Sequence, residues 1–347
     1  MMTYRSARIV GDGPAGLVAA LALVQQGWRV DVTAPQWRRA ARRPDRIDVL
    51  GGSALSVLER LGIPPRDLLA VATPCPGRWT RWSEEAHEVD HFRTFETAWA
   101  VTRPGFDALL AERAVAAGVR FSGPEGDAST ERSRCSWTIL ATGSGEETKG
   151  AAADERLVAF VMTGALDPAD GAVDARLMVE ACPEGWAYAA ICRMRACVGV
   201  VTDIEALRRS AIAPRFFVAR MLGGTARIAG ISKRLGDGVS MRGHHFACGR
   251  RPLLAAERLV RVGDARMTLD PLAGRGLWEA VHGTDRVMAA ILDNAPERLV
   301  DEEALADDTY RSYLRQRWAF YGMLRERFGT GFWVRRYRQR DNGSGRP

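Results

Sequence analysis

Two glycine-rich stretches and one carboxylate hold most of the chemistry legible in the chain. Gly11-Asp12-Gly13-Pro14-Ala15-Gly16 follows an apolar run (Ala7, Ile9, Val10) and opens a stretch of helical periodicity reaching Gln26, with Leu17, Ala20, Leu21 and Val24 on one face. Strand, G-x-G-x-x-G and helix in that order form a dinucleotide-binding fingerprint. The first glycine permits the tight turn, the second lets a pyrophosphate approach the backbone, and the third lets strand and helix pack closely. Free amides at the helix start then face the phosphates. The second stretch runs Leu259-Val-Arg-Val262-Gly263-Asp264-Ala265 and on to Asp270-Pro271-Leu272-Ala273-Gly274-Arg275-Gly276-Leu277. Asp264, at a strand end, is placed to accept hydrogen bonds from a polyol, and a helix opening after Gly276 offers a positive dipole end. The pair suits a flavin, with the ribityl chain on Asp264 and the anionic edge of the reduced ring at the helix start.

A ribose carboxylate is expected about 20 residues beyond the first turn, at the end of the second strand. That strand, Arg29-Val-Asp-Val-Thr33, is followed instead by Ala34 and Pro35, and Asp31 points the wrong way by strand alternation. The adenosine ribose is left to Thr33 or to backbone groups. Another apolar strand, Trp137 to Ala141, stops at Thr142-Gly143-Ser144-Gly145, small residues that suit close backbone approach to a ligand. The sequence contains no nucleophile elbow, P-loop or metal-ligand cluster. His87 and His91 lie in a stretch read as strand, where they would not converge, and His244-His245 would face opposite ways, so no metal is expected. The six cysteines form no C-x-x-C pair and are expected as reduced thiols.

These residues need a scaffold, and 347 residues suffice for two lobes. The net charge of +7 is almost wholly arginine, with lysine only at 149 and 233. Tracts such as Arg38-Arg39 and Arg42-Arg43 read as solvated loops or cofactor-phosphate contacts, and no nucleic-acid partner is expected. No run approaches the ~20 apolar residues that span a bilayer. With no signal segment before the first strand, the expected compartment is the cytoplasm. The predicted fold is α/β: a discontinuous Rossmann-type domain from 1–70, 101–150 and 245–300, an inserted β-rich substrate lobe from 71–100 and 151–244, and C-terminal helices with a polar tail over 301–347. Aromatics alternate between 79 and 99, β-rich runs fill 158–201, and 204–209 and 214–222 read as helices. Tyr310, Tyr313, Leu314, Trp318, Tyr321 and Leu324 form a packing stripe on a C-terminal helix.

With both glycine stretches and the Ala141-Thr-Gly143 strand end in place, the chain resembles the FAD-dependent monooxygenases of the aromatic hydroxylase type, whose relatives include the flavin halogenases. Arg46-Ile-Asp48-x-Leu50, Gly185-Trp186-Ala-Tyr188, Thr202-Asp203, Gln316-Arg317-Trp318 and Phe332-Trp333 look most like the flavoproteins that hydroxylate tryptophan in maturing protein-derived quinone cofactors. In such enzymes reduced FAD reacts with oxygen and a flavin hydroperoxide passes one oxygen atom to an electron-rich ring. The resemblance implies FAD contacts at Gly11, Gly13, Ala15, Gly16, Thr33, Arg46, Arg103, Thr142, Gly143, Asp264, Pro271, Gly274, Gly276 and Leu277. Asp48 and Arg275 are the candidates for facing the reaction site; Arg275 stands where the family has a smaller polar residue, and reaches either the negative charge of the reduced flavin or a surface carboxylate. The resemblance also implies an aromatic substrate, small or bound to a carrier or peptide. Thr142-Gly143 stands where classical hydroxylases carry an Asp-Gly motif implicated in NADPH use, leaving NAD(P)H or a separate flavin reductase as electron source. Flavin halogenases need a tunnel lysine that neither Lys149 nor Lys233 matches in position. A reductase or dehydrogenase, or a flavin-binding partner without turnover, are the remaining alternatives.

Overall fold

Alternation of small apolar residues makes Ser6–Val10 (β1) a strand with Ala7 and Ile9 buried, and the apolar run Pro14–Val24 (α1) a helix buried on nearly all sides. The computed structural model describes residues 5–33, 45–90, 98–123, 136–145, 156–167, 169, 171–235 and 239–338. Ala34, the basic tracts at 38–43, His91, Lys149 and the tail beyond 338 lie outside the described residues. Parallel pairing puts Arg29–Thr33 (β2) on one side of β1 and Trp137–Leu140 (β9) on the other. Arg120–Ser122 (β8) extends the sheet beyond β2, and Leu259–Arg261 (β17) extends it beyond β9. Leu254–Ala256 (β16) closes that edge antiparallel to β17. The strands end side by side: the Ala141 amide donates to the Val10 carbonyl at 2.8 Å and the Val262 amide to the Leu140 carbonyl at 2.9 Å. Strand order reverses at β1, so the crevice at the carboxyl ends lies over the glycine turn, where open α/β sheets hold ligands.

A small antiparallel sheet bridges this domain to the other lobe. Ile47–Gly51 (β3) pairs with Ala98–Thr102 (β7), which also pairs with Ala72–Pro74 (β4). Helices Ser53–Arg60 (α2) and Pro65–Leu68 (α3) connect β3 to β4. The bridge feeds both cores: Leu50, Ala72 and Val101 pack into the first, Ile47, Ala98 and Ala100 into the second. Helix Arg103–Ala116 (α4) follows β7 directly and packs against α1.

The second lobe is built on a seven-stranded sheet. Its order runs Ser240–Phe246 (β14), Leu157–Ala165 (β10), Arg195–Asp203 (β13), Gly185–Cys192 (β12), Leu177–Cys182 (β11), Gly77–Arg81 (β5), His87–Asp90 (β6). The stretch 71–100 is thus divided, its outer strands β4 and β7 joining the bridge and its inner strands β5 and β6 this sheet. Helices Ile204–Ser210 (α5), Pro214–Gly223 (α6) and Ile228–Lys233 (α7) cover one face. Buried Glu180 points to that side and accepts from the amides of Ala226, Arg227 and Ile228, at 2.6, 2.9 and 3.0 Å, at the start of α7. The opposite face turns to β3 along part of its length and to the C-terminal helices along the rest, with Trp186 packed on Phe332 and Trp333.

The chain returns to the first domain through Gly249–Arg250 (β15), paired with Met267–Thr268 (β18). Gly276–Trp278 (α8) then passes through a π turn, Glu279–Gly283, into Thr284–Leu292 (α9), which packs on α1. Pro296–Phe328 (α10) and Gly331–Arg338 (α11) complete the described chain, and no helix in it is long and apolar enough to cross a membrane.

A Cβ on Gly16 would sit 2.0 Å from the Gly11 carbonyl oxygen, whereas one on Gly13 meets nothing within 4 Å. Gly16→Ala is therefore expected to destabilise the fold by about 1–3 kcal/mol, as forced overpacking does, and to lower Tm by several degrees. Gly13→Ala should melt like the wild type. Thermal unfolding of the two variants side by side checks the distinction.

Candidate active site

Backbone pressed on backbone forms the floor of the crevice. Gly11 adopts φ +116°, and a Cβ there would lie 2.2 Å from the Ala141 carbonyl oxygen. Gly263, at φ +57°, brings the chain after β17 so near α1 that its Cβ would lie 2.7 Å from that of Ala15. Small residues therefore leave the space above free. Gly13, at the N-cap of α1, offers no side-chain cap, and a Cβ built on it meets nothing within 4 Å. Uncapped amides at the start of a helix of this length suit a phosphate. The Gly11 amide itself is held by the Thr33 carbonyl at 3.0 Å, and the Thr33 hydroxyl accepts from Arg8 Nε at 3.3 Å. Asp31 is committed to Arg120 on β8 at 2.5 Å, away from this crevice. Thr142 and Gly143 follow β9 directly, Gly143 at φ +72° with open space beside it.

Asp264 rises beside this floor, in the short turn after β17. Burial pushes its carboxyl above the usual carboxylate range, and the Arg46 and Arg103 charges offset this only in part. Among the described residues no group donates a hydrogen bond to its side chain. Its Oδ1 lies 3.9 Å from where a Cβ on Gly276 would be, so the carboxylate faces the opening of α8. A carboxylate half-buried without donors carries a desolvation cost. The arrangement fits the hydroxyls of a ribityl chain, and the crevice fits FAD.

The turn between Asp264 and α8 is tightly made. The Asp270 carboxylate accepts from the Leu272 amide at 2.9 Å, Pro271–Ala273 forms one 3₁₀ turn, and Gly274 closes it at φ +61°. Buried Leu277 anchors the helix start. Arg275 is 44 % exposed, its Nη2 3.2 Å from Glu279 Oε1 and its guanidinium 4.8 Å above the Trp278 ring. Trp278 in turn donates to Ser53 Oγ at 3.0 Å. The structure thus places Arg275 along the helix, held by an i,i+4 partner.

Where the two lobes meet, an ion-pair chain runs through Arg46, Asp48, Arg103 and Asp107. Asp48 Oδ2 receives Arg103 Nη1 at 2.7 Å and Arg46 Nε at 3.2 Å, and Arg103 Nε reaches Asp107 Oδ1 at 3.3 Å. Burial opposes ionisation of Asp48, but the two guanidiniums outweigh it and hold the carboxyl below its usual range. The register of the large sheet adds side chains that sequence reasoning did not assign to the site. Thr163 pairs with Cys197, Tyr188 with Gly199 and His244 with Ala159, which alternation puts on one face. A Cβ on Gly199 would fall 2.1 Å from the Tyr188 ring, so the tyrosine lies down over the glycine. Burial raises both the Tyr188 hydroxyl, hydrogen-bonded to Cys197, and the Cys197 thiol, the latter to about 11. Burial also lowers His244, helped by Arg46 and Arg242. The alternation around Tyr188 was legible; its partners, set by long-range register, were not.

The parallel-sheet domain, the bridging three-stranded sheet and the large antiparallel sheet over the crevice define the two-lobed fold shared by FAD-dependent monooxygenases and halogenases. Among solved structures the chain is similar to QhpG, a peptidyl tryptophan dihydroxylase essential for tryptophylquinone cofactor biogenesis, with a TM-score of 0.72 and 20% identity over 96% of this chain and 78% of that one. It is similar also to CmlS, a flavin-dependent halogenase (TM-score 0.73, 22% identity, 97% and 68% of the two chains). PqsL, a probable FAD-dependent monooxygenase from Pseudomonas aeruginosa, matches with a TM-score of 0.72 and 19% identity over 94% and 98%. No protein-family model matches the chain, and no curated protein matches it in sequence. At these identities the likeness defines the fold.

The two site carboxylates have opposite linkage to pH. Asp48, held low, contributes stability above the ordinary carboxylate range that is lost as pH falls through its folded value; Asp264, held high, costs stability above that range and the cost fades in acid. In the flavin-free protein at about pH 7, Asp48→Asn should lower Tm and Asp264→Asn should raise it, each by an amount equivalent to about 1–2 kcal/mol. The Asp264 difference should vanish by about pH 3–4, whereas the Asp48 difference should largely persist there and shrink only in stronger acid. Melting curves across that range check signs and trend together.

Proposed function

We propose that the protein is an FAD-dependent monooxygenase that inserts one oxygen atom into an electron-rich aromatic ring, with indole-bearing substrates, free or held on a carrier or peptide, as the first class to test. The observation that carries this reading is Asp264, a desolvated carboxylate without a donor, level with an uncapped helix start and facing a second one. The likeness in fold to a peptidyl tryptophan dihydroxylase and to a probable FAD-dependent monooxygenase supports it. FAD would place its pyrophosphate on the amides of Ala15 and Gly16, its adenosine ribose near Thr33, its ribityl chain on Asp264 and its pyrimidine edge at Gly276 and Leu277. Gly13, Thr142 and Gly143 would border the phosphates, and Pro271 and Gly274 the ring. When bound and reduced, the cofactor supplies the activation of dioxygen.

The chain's own part is binding, orientation and exclusion of water. Asp48, kept ionised between Arg46 and Arg103, has no proton to give and instead fixes two guanidiniums at the border of the lobes. Arg275 supports the helix mouth with a charge shared with Glu279, and can add to the field at the reduced ring. The sheet face bearing Tyr188, Thr163 and Cys197 would roof the substrate space, with hydroxyl and thiol kept protonated by burial. Electrons would come from NAD(P)H or from a separate flavin reductase. Oxygenation is favoured over halogenation because Lys233 sits exposed on α7, on the sheet face opposite Tyr188.

Asp264→Ala should weaken FAD binding about 10- to 150-fold, the worth of a charge-assisted hydrogen bond, as read by fluorescence titration of the flavin-free variant. Incubating wild type with reduced flavin, isotopically heavy dioxygen and indole or tryptophan-containing peptides should put one heavy oxygen atom into the product, read by mass spectrometry. Turnover without oxygen incorporation would replace this reading by a reductase or dehydrogenase. Bound flavin unable to cycle between its redox states would leave a flavin-binding partner without turnover.

A further inference from the structure

We propose that Tyr321, on α10, is a positioning residue for the flavin-facing turn Pro271–Gly276 and acts through the carboxylate of Asp270. The proposal rests on the flavoprotein reading above. Asp270 is 1 % exposed and heads the turn. One carboxylate oxygen accepts from the Leu272 amide at 2.9 Å, and the other accepts from the Tyr321 hydroxyl at 2.6 Å. The Asp270 amide donates to the Tyr313 oxygen at 3.1 Å, and that oxygen also receives Arg317 Nη1 at 3.1 Å. Residues 313, 317 and 321 follow one another at four-residue spacing, so a single face of α10 grips both the backbone and the side chain of Asp270. Arg317 lies over the rings of Tyr313 and Tyr321 at 5.3 and 5.9 Å. Tyr321 is also braced edge-on against Trp333 of α11 at 5.4 Å. Its hydroxyl is therefore a fixed point, set by the C-terminal helices and not by the turn.

The consequence is geometric. The turn starts at a carboxylate whose position α10 dictates, and it ends at Gly276, where an added Cβ would lie 3.9 Å from Asp264 Oδ1. Burying a carboxylate between two elements costs desolvation, and burial indeed drives Asp270 upward. An apolar contact would join α10 to the turn at less cost but would leave the turn's orientation free. The hydrogen bond specifies that orientation.

Tyr321→Phe keeps the ring and its contacts and removes only the hydroxyl. Against wild type, we expect about tenfold weaker FAD binding in titrations of the flavin-free protein and a shifted midpoint potential of the bound flavin. Tyr313→Phe releases the Asp270 amide instead and should weaken FAD binding in the same direction, giving an independent measurement should Tyr321→Phe fail to fold. A merely structural hydroxyl would lower Tm while leaving affinity and potential where they were. Tyr321→Phe and Tyr313→Phe with wild-type affinity and potential would overturn the positioning role. Wild type that takes up no FAD at all would overturn the flavoprotein reading itself.

Discussion

Everything in the first domain depends on one close approach. The backbone at Gly11 touches the end of β9 at Ala141, Gly16 touches the Gly11 carbonyl, and Gly263 touches Ala15. At these points a single added carbon would overlap existing atoms, so the contacts exist only because the side chains do not. They bring the ends of β1, β9 and β17 and the start of α1 to one place and leave the volume above it empty. The N-terminus of α1, with glycine at its cap, and a carboxylate that no group among the described residues donates to then face that volume. Such unsatisfied groups are stored cost until a ligand with complementary charge pattern arrives.

The second lobe is tied to that floor by charge as well as by the apolar residues of the bridge sheet. The bridge sheet brings Asp48 to the border, and Arg103, the first residue of α4, reaches it from the end of β7. One element thus contributes both to the packing of α1 and to the ion-pair chain at the boundary of the lobes. The C-terminal helices act from the far side, where Asp203 accepts from Arg335 and Trp333 donates to the Cys182 carbonyl. The large sheet is consequently held at both ends, with its Tyr188 face turned toward them.

How much of this the chain discloses follows from how local each feature is. The strand–turn–helix at Gly11 and the Gly263-Asp264 and Gly274-Arg275-Gly276 turns were legible because backbone conformation there depends on neighbours in sequence. The i,i+4 partner of Arg275, Glu279, was within the same reach. The two-lobed fold, the β-rich stretch of 158–201 and the helices at 204–210 and 214–223 also match expectation. The short α7, held by Glu180 from a distant strand, was not foreseen. Nor was the lining of the substrate face, because a strand's partners and register are set by contacts that propensity does not encode. The Asp270–Tyr321 hydrogen bond joins a turn read for its chemistry to a helix stripe read as ordinary packing, and neither reading points to the other.

The interleaved order of the parallel sheet has a consequence for how the chain is made. β1 can pair with β2 as soon as both leave the ribosome, but its other edge waits for Trp137 and the edge of β9 waits for Leu259. The apolar edge of β1 therefore stays unpaired until about two-fifths of the chain is made and that of β9 until about three-quarters, and the long-range pairings that complete the sheet carry a high loop-closure cost. Such an edge is a template for pairing with other chains. The large antiparallel sheet, whose central strands follow one another through short turns between 177 and 203, can form in the interval. The large sheet thus has all its strands in the chain before the parallel sheet receives β17.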